Sequence, residues 1–309
     1  MANPVTTGTS YAGEFASKYI SAALLSAQTL ESGLITVMPN VKHKSVLQVA
    51  SYNDIVKDAT CDFSADGTLT LTEKIIQPEE FQVNVQLCKK DLHATWQAAE
   101  MGFSAFDSLP ASFEDYVIGY TGAKVASQIE SNIWAGQTGN AGEFDGFYYL
   151  ATAGGSGCVA VTGTTVTAAN VIDELGKVCD AIPTGVYGRD DVHIYVAPNV
   201  ARAYIRALGG FGSQGLGANG VDNKGTTWFN NGALFFDGIP VVVGQGLPAH
   251  SMMAAQKSNL FFGTGLLNDT NEVKVLDMSD LDGSQNVRVI MRFTAAVQMG
   301  INSDVVIYA

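Results

Sequence analysis

Charge is scarce in this sequence: of 309 residues only 15% are Asp, Glu, Lys or Arg, against 47% hydrophobic ones. An average soluble chain carries about 25% charged residues, so the shortage implies surface that is covered by a large core or by partners. Cations are the scarcer sign. Seventeen Lys and Arg against thirty Asp and Glu leave a formal net charge of −13, which argues against the clustered basic residues with which a nucleic-acid binder holds phosphates. A container for nucleic acid stays open, because a non-adhesive wall suits that role.

Long apolar runs are missing too. Nothing approaches the roughly 18 uninterrupted apolar residues of a membrane span, and the opening "MANPVTTGTSYAGEF" has neither the basic nor the apolar region of a secretory signal. The expected compartment is cytoplasmic. Cys61, Cys88, Cys158 and Cys179 are far apart and form no C-x-x-C pair, so they are expected to be reduced, buried thiols acting as small hydrophobes.

Reaction chemistry is the third shortage. His43, His93, His193 and His250 lie in four separate contexts, none paired with another ligand at helix or strand spacing. "TAGGSGCVA" resembles a nucleophile elbow but has Cys158 where the glycine after Ser156 is required. "LDMSDLDG" misses the calcium-loop register, with Met278 in place of an acidic ligand. In "LCKKDL", Lys89 and Lys90 beside Cys88 read as exposed lysines at a strand end rather than an activated thiol. One motif has the spacing of a dinucleotide fingerprint, Gly210-Phe211-Gly212-Ser213-Gln214-Gly215. That fingerprint needs a strand before it and a helix after it. Here a helix from about Asn199 to Leu208 runs into the glycines, and a polar Gly/Asn-rich stretch follows. The setting is that of an interaction loop. No metal or cofactor is expected.

What is present is a series of elements that one chain cannot readily cover. An amphipathic helix, "EFASKYISAALLSAQTL", follows a Thr/Ser/Gly-rich start and carries Phe15, Tyr19, Ala23, Ala27 and Leu30 at helical spacing. A hairpin is expected over roughly Ile55 to Ile75, turning at Asp66-Gly67, mostly polar on both faces. "FQVNVQL" alternates strictly as a strand. The strongest helix is "SFEDYVIGYTGAKVASQIESNIWAG", with Ser112 and Asp115 in capping-box spacing and Gly136 at its end. An α/β unit begins near Val166, with a helix turning Val171, Leu175, Val178 and Cys179 inward, and the strand Val192 to Val196. The C-terminal hairpin turns at Asp282-Gly283, and its second arm alternates from Val287 to Met299. That is longer than most strands, so it is bent or reaches beyond its own core.

The run "AQKSNLFFGTGLLNDTNEVKVLDMSDLDGSQNVRVIMRFTAAVQMGINSDVVIYA", with "DDVHIYVAPNVARAYIRAL" and "FFDGIPVVVGQGLP", resembles the major capsid proteins of tailed bacteriophages with the Hong Kong 97-type fold. The resemblance implies an α+β fold with an N-terminal arm over 1–40, an extended β-hairpin loop over 41–90, a peripheral domain over 91–165 and 255–309 with its spine helix at 112–135, and an axial domain over 166–254. It implies a structural, non-enzymatic shell subunit, assembled as pentamers and hexamers in the host cytoplasm, enclosing double-stranded DNA in the virion. Separate scaffolding, portal and decoration proteins would be its partners; no long segment that could be a fused scaffold precedes the arm, which suggests a separate scaffold or self-guided assembly. Subunit contacts are expected at Phe15, Tyr19, Lys57, Lys74, Phe211, Gly212 and Gly215. Glycines at 210–217 would let one loop fit two ring sizes. Lys57 and Lys74 lie in the ribbon, but no Asn or Glu partner for a cross-link can be matched, so non-covalent closure is expected. The alternatives are an encapsulin-like nanocompartment shell and a nucleotide-binding α/β enzyme.

Overall fold

A computed structural model describes residues 28–41, 43–52, 56–59, 61, 67–88, 111–208, 234–265, 274–278 and 283–309. The expected contacts at Phe15, Tyr19, Phe211, Gly212 and Gly215, the histidine at 93, and nearly all of the first amphipathic helix lie outside these residues. Only α1, Gln28–Glu31, is seen of that helix.

The long alternating strand organises the first of two large sheets. β12, Asn286–Met299, is buried at Val287, Val289, Met291, Ala295, Val297 and Met299, as its period of two requires. Three strands share its length. β4, Glu79–Cys88, pairs antiparallel from Cys88↔Asn286 to Glu79↔Ala295. β11, Lys274–Asp277, covers the start, Lys274↔Ile290 to Asp277↔Val287. β10, Leu260–Gly263, takes the end, Leu260↔Met299 to Gly263↔Ala296, and carries β1, Thr36–Met38, in parallel on its other edge. The register places Phe81 opposite Phe293, Val83 opposite Met291, Val85 opposite Val289 and Leu87 opposite Val287. Both strands therefore put their apolar set on one face, and a slip of one residue would turn a whole set outward. The Phe81 and Phe293 rings lie 5.5 Å apart, within the range of a favourable aromatic pair.

The second sheet has six strands in the order β5 (Val159–Val161), β13 (Val306–Tyr308), β9 (Met252–Gln256), β6 (Val192–Val196), β8 (Ile239–Val243), β7 (Leu234–Phe236). Central β9, "MMAAQ", is buried at every residue, and β6 at four of five, which is why they read as continuous apolar runs. β7 and β8 join through Asp237 and Gly238, both at positive φ (47° and 79°). That is the pairing a two-residue hairpin turn favours. Two helices pack together beside this sheet: α4, Val171–Asp180, burying Val171, Leu175, Val178 and Cys179, and α5, Pro198–Leu208, burying Val200, Ala203 and Tyr204.

The long helix α2, Ala111–Ala135, starts one residue ahead of Ser112, so Ser112 lies inside the helix rather than at its cap. Its C-terminal half joins the two sheets in a single core through Val125, Ile129, Ile133 and Trp134. Trp134 is fully buried, 5.0 Å from the Tyr195 ring and 5.8 Å from the Phe147 ring of α3, Phe147–Thr152. The helix stops where Gly136 lets the returning chain in: a Cβ there would sit 2.3 Å from the Phe144 carbonyl oxygen.

Two expectations change. The cysteines are free, but only Cys179 is buried; Cys88 and Cys158 are half-buried and Cys61 is exposed. The ribbon is a pair of eight-residue strands, β2, Ser45–Tyr52, and β3, Leu69–Ile76, so its first arm is not the one expected from Ile55; Asp66 of the expected turn lies outside the described residues. The expectation rests on the local turn signal, whereas the pairing joins Val46 and Leu47 to Ile75 and Lys74, with sixteen residues, 53–68, between the two strands.

Candidate functional site

β2 and β3 run antiparallel in register from Ser45↔Ile76 to Tyr52↔Leu69. Residues directly opposite one another share a face. Val46 with Ile75, Gln48 with Glu73 and Ala50 with Leu71 therefore form one side, with Leu69 in line. Leu47 with Lys74 and Val49 with Thr72 form the other. The first side faces solvent: Val46 is 47% exposed, Leu69 45%, Leu71 62% and Ile75 48%. This corrects the expectation of a ribbon polar on both faces.

The ribbon is tied to the body at its base. Ile76 is buried with Val41 and Ala296, and Gln298 Nε2 donates to the Ile75 carbonyl at 3.0 Å. Residues 46–50 of β2 wall a cavity of about 470 Å³ whose other side includes Ser258, Phe261 and Ile301. A two-stranded ribbon is marginal by itself, and a run of apolar side chains in water marks a surface meant for another molecule. Covering a whole Val, Leu or Ile is worth ~1.5–3 kcal/mol, and the exposed fractions of these four amount to about two whole side chains, giving roughly 3–6 kcal/mol per ribbon.

Of the expected contact residues, Lys57 is exposed between the two strands and Lys74 is half-buried on the underside. Lys74 reaches Cys158 electrostatically: burial pushes the Cys158 thiol up, and the Lys74 ammonium acts in the opposite direction. The structure does not bring the two lysines together. Lys74 lies opposite Leu47 on the paired strands, whereas Lys57 lies beyond them.

The groups with catalytic potential hold the fold. Ser156 Oγ donates to the Ala151 carbonyl at 2.8 Å and accepts from the Cys158 amide at 3.3 Å, so it faces backbone rather than a base. His193 Nδ1 lies 2.9 Å from the Asp191 carbonyl oxygen. His250, at φ 66°, accepts the Val166 N–H on Nδ1 at 3.1 Å. Glu174 is buried but satisfied by Lys177 Nζ at 2.8 Å, Tyr308 OH at 2.8 Å and Thr164 Oγ1 at 3.0 Å. The Lys177 bond, then those of Tyr308 and Thr164, hold its carboxyl below the ordinary range against burial. Among the described residues no group of three or more His, Cys, Asp or Glu converges as a metal would need, and no helix is long and apolar enough to cross a membrane.

No protein-family profile matches this sequence, and no curated protein is detectably similar to it. The three-dimensional likenesses are extensive. The capsid of the native GTA particle superimposes with a TM-score of 0.63 at 13% identity, over 100% of this chain and 95% of that one. A chain of Gordonia phage Cozz gives 0.61 at 12%, covering 94% and 88%. The capsid of the cyanophage P-SCSP1u gives 0.54 at 12%, covering 96% and 92%. The chain has the mixed α/β fold of these phage capsid structures.

Proposed function

We propose that this chain is the major capsid protein of a tailed phage, a structural subunit that self-assembles into the pentamers and hexamers of an icosahedral head around double-stranded DNA. The observation that carries the proposal is the apolar outer face of the ribbon, Val46, Leu69, Leu71 and Ile75, left open to water in a chain with a capsid fold. A copy of the same chain supplies the missing cover. In a shell each subunit both gives and receives the contact, so the interface is heterologous and closes by rotation.

The division of labour follows the Hong Kong 97-type plan. Residues 1–40 act as the arm and 41–90 as the extended loop whose tip overlaps a neighbour. The peripheral domain comprises 91–165 and 255–309, with 112–135 as its spine. The axial domain, 166–254, presents its glycine stretch at the five- and six-fold axes. A net charge of −13 keeps the wall from adhering to the packaged phosphates. The place of action is the virion.

Electron microscopy of the purified recombinant chain tests the proposal. Hollow particles of uniform diameter are expected. A monodisperse monomer at high concentration, together with no particles of this protein in infected lysates, overturns it. Particles that enclose an enzyme and no DNA assign it instead to a nanocompartment.

A further inference from the structure

Among the described residues, Glu130 is a buried carboxylate whose hydrogen-bond partners include no cation. It lies on α2, fully inaccessible, and its three donors among the described residues are neutral. Thr29 supplies two: its backbone N–H donates to Oε2 at 3.1 Å, and its hydroxyl donates to Oε1. The third is the Trp134 indole, 3.2 Å from Oε1, which also donates to Thr29 Oγ1 at 3.0 Å. Burial pushes the Glu130 carboxyl up, and the Thr29 bonds pull it back. A buried carboxylate is tolerated only where its oxygens are satisfied, so the seat of Glu130 exists only while Thr29 occupies it.

The segment that Thr29 leads is held by two buried side chains, one short strand and a few neutral hydrogen bonds. β1 is three residues long, at a sheet edge, and half-buried throughout; so short a strand specifies its register weakly. Ile35 and Val41 of the segment are buried, and single bonds tie the rest: the Tyr195 hydroxyl to the Leu34 carbonyl at 2.7 Å, the Thr36 hydroxyl to the Lys257 carbonyl at 3.1 Å, the Thr264 amide to the Met38 carbonyl at 3.1 Å and the Val41 amide to the Thr264 carbonyl at 3.0 Å. The two bonds from one residue to one carboxylate are the strongest of the set, since hydrogen bonds to charged groups are roughly twice as strong as neutral ones.

We propose that Glu130 is a socket for Thr29 that fixes the point from which the N-terminal segment leaves the body, setting the register of β1 on β10 and tying that segment to the last turns of α2. This deepens the shell reading and rests on its N-terminal arm: an arm that reaches a neighbour needs one defined origin in every copy. The socket is read by its fit to threonine. The hydroxyl bridges the carboxylate and the indole, and the backbone N–H beside it completes the pair.

Hydrogen exchange on the full-length chain, read residue by residue, tests the inference with Thr29→Val and Glu130→Gln. Thr29→Val keeps the shape and the N–H but removes the hydroxyl. Glu130→Gln keeps the volume but turns an amide NH2 toward a donor. Both variants are expected to speed exchange at the amides of Thr29 and of Thr36 to Met38 by about tenfold or more, the factor for one lost charge-assisted hydrogen bond. The amides of β6 and β9 should exchange at the wild-type rate. Wild-type exchange at 36–38 in both variants overturns the socket. So does an equal rise across β6 and β9, which would make Glu130 a general core residue. The shell reading fails separately, through the absence of particles from the wild-type chain.

Discussion

Placing a charge on the outer face of the ribbon should separate folding from assembly. Leu71 is 62% exposed, opposite Ala50, near the far end of the paired strands. Covering that fraction in a neighbour is worth about 1–2 kcal/mol, taking ~1.5–3 kcal/mol for a whole leucine. In Leu71→Asp this gain is lost, and a carboxylate buried at the contact adds a desolvation cost of several kcal/mol. The loss recurs at every copy of the interface. In the free subunit the same position meets water, where a substitution usually costs within about 0.5 kcal/mol. For a chain of this size that corresponds to a melting shift of roughly 1–2 °C. Sedimentation velocity and electron microscopy read the particle fraction, and calorimetry of the unassembled subunit reads its stability. The expected result is loss of particles with the melting temperature nearly unchanged. Full-yield shells from Leu71→Asp would refute the reasoning about this face. A fall of 10 °C or so in the subunit's melting temperature would do the same, by making Leu71 part of the subunit's own core.

Other perturbations act on the frame that holds the ribbon. Trp134→Ala empties the junction of α2 with both sheets and should cost about 3–5 kcal/mol in chemical denaturation; Trp134→Phe keeps most of the ring and should cost less. Gly246→Ala would place a Cβ 2.5 Å from the Glu130 carbonyl oxygen and 2.8 Å from the Ser131 Cα; because both obstacles are backbone, a loss of ~1–3 kcal/mol is expected in the same assay. The two buried glutamates give pH dependences of opposite sign. Glu174 titrates below its ordinary value of 4.5 when folded, so its contribution is present above that value and lost as pH falls through the depressed one; Glu174→Gln should flatten the acid limb of stability against pH. Glu130 titrates above the same ordinary value, so its contribution is present in acid and lost as pH rises through the raised value. Glu130→Gln should therefore flatten the slope just above the ordinary carboxylate range.

The elements most legible in the sequence were those whose periodicity and punctuation agree. The alternation from Val287 to Met299, the run Val192 to Val196, the inward set of Val171 to Cys179, and Gly136 as a helix stop each carry their whole signal within a dozen residues. The ribbon failed for the complementary reason. Asp66-Gly67 is a strong local turn signal, and it drew the first arm toward Ile55, although Gly67 does take a positive φ of 82°. Had the pairing been placed from Ser45, the sequence "LTLTEKI" would have shown Leu69, Leu71 and Ile75 on one side, because residues two apart share a face. What hid the surface was register, a non-local quantity.

The Glu130 seat shows how far that limit extends. Its partners Thr29 and Trp134 are separated by 105 positions, and nothing in "ASQIESNIWAG" distinguishes Glu130 from a solvated helix charge. Its burial comes with the meeting of α1 and α2, which brings Thr29 and Trp134 to it. The same holds for the outer face of the ribbon in the opposite sense. Leu71 is an ordinary apolar residue by type, and it becomes informative because the fold that buries Ile76 beside Val41 and Ala296 leaves Leu71, five residues earlier on the same strand, uncovered. Sequence pattern tells which side chains require cover, and the fold tells which of them it supplies. The remainder is four aliphatic side chains, Val46, Leu69, Leu71 and Ile75, along one face of a ribbon tied to the body at its base, and in the proposed shell that is the part another copy completes.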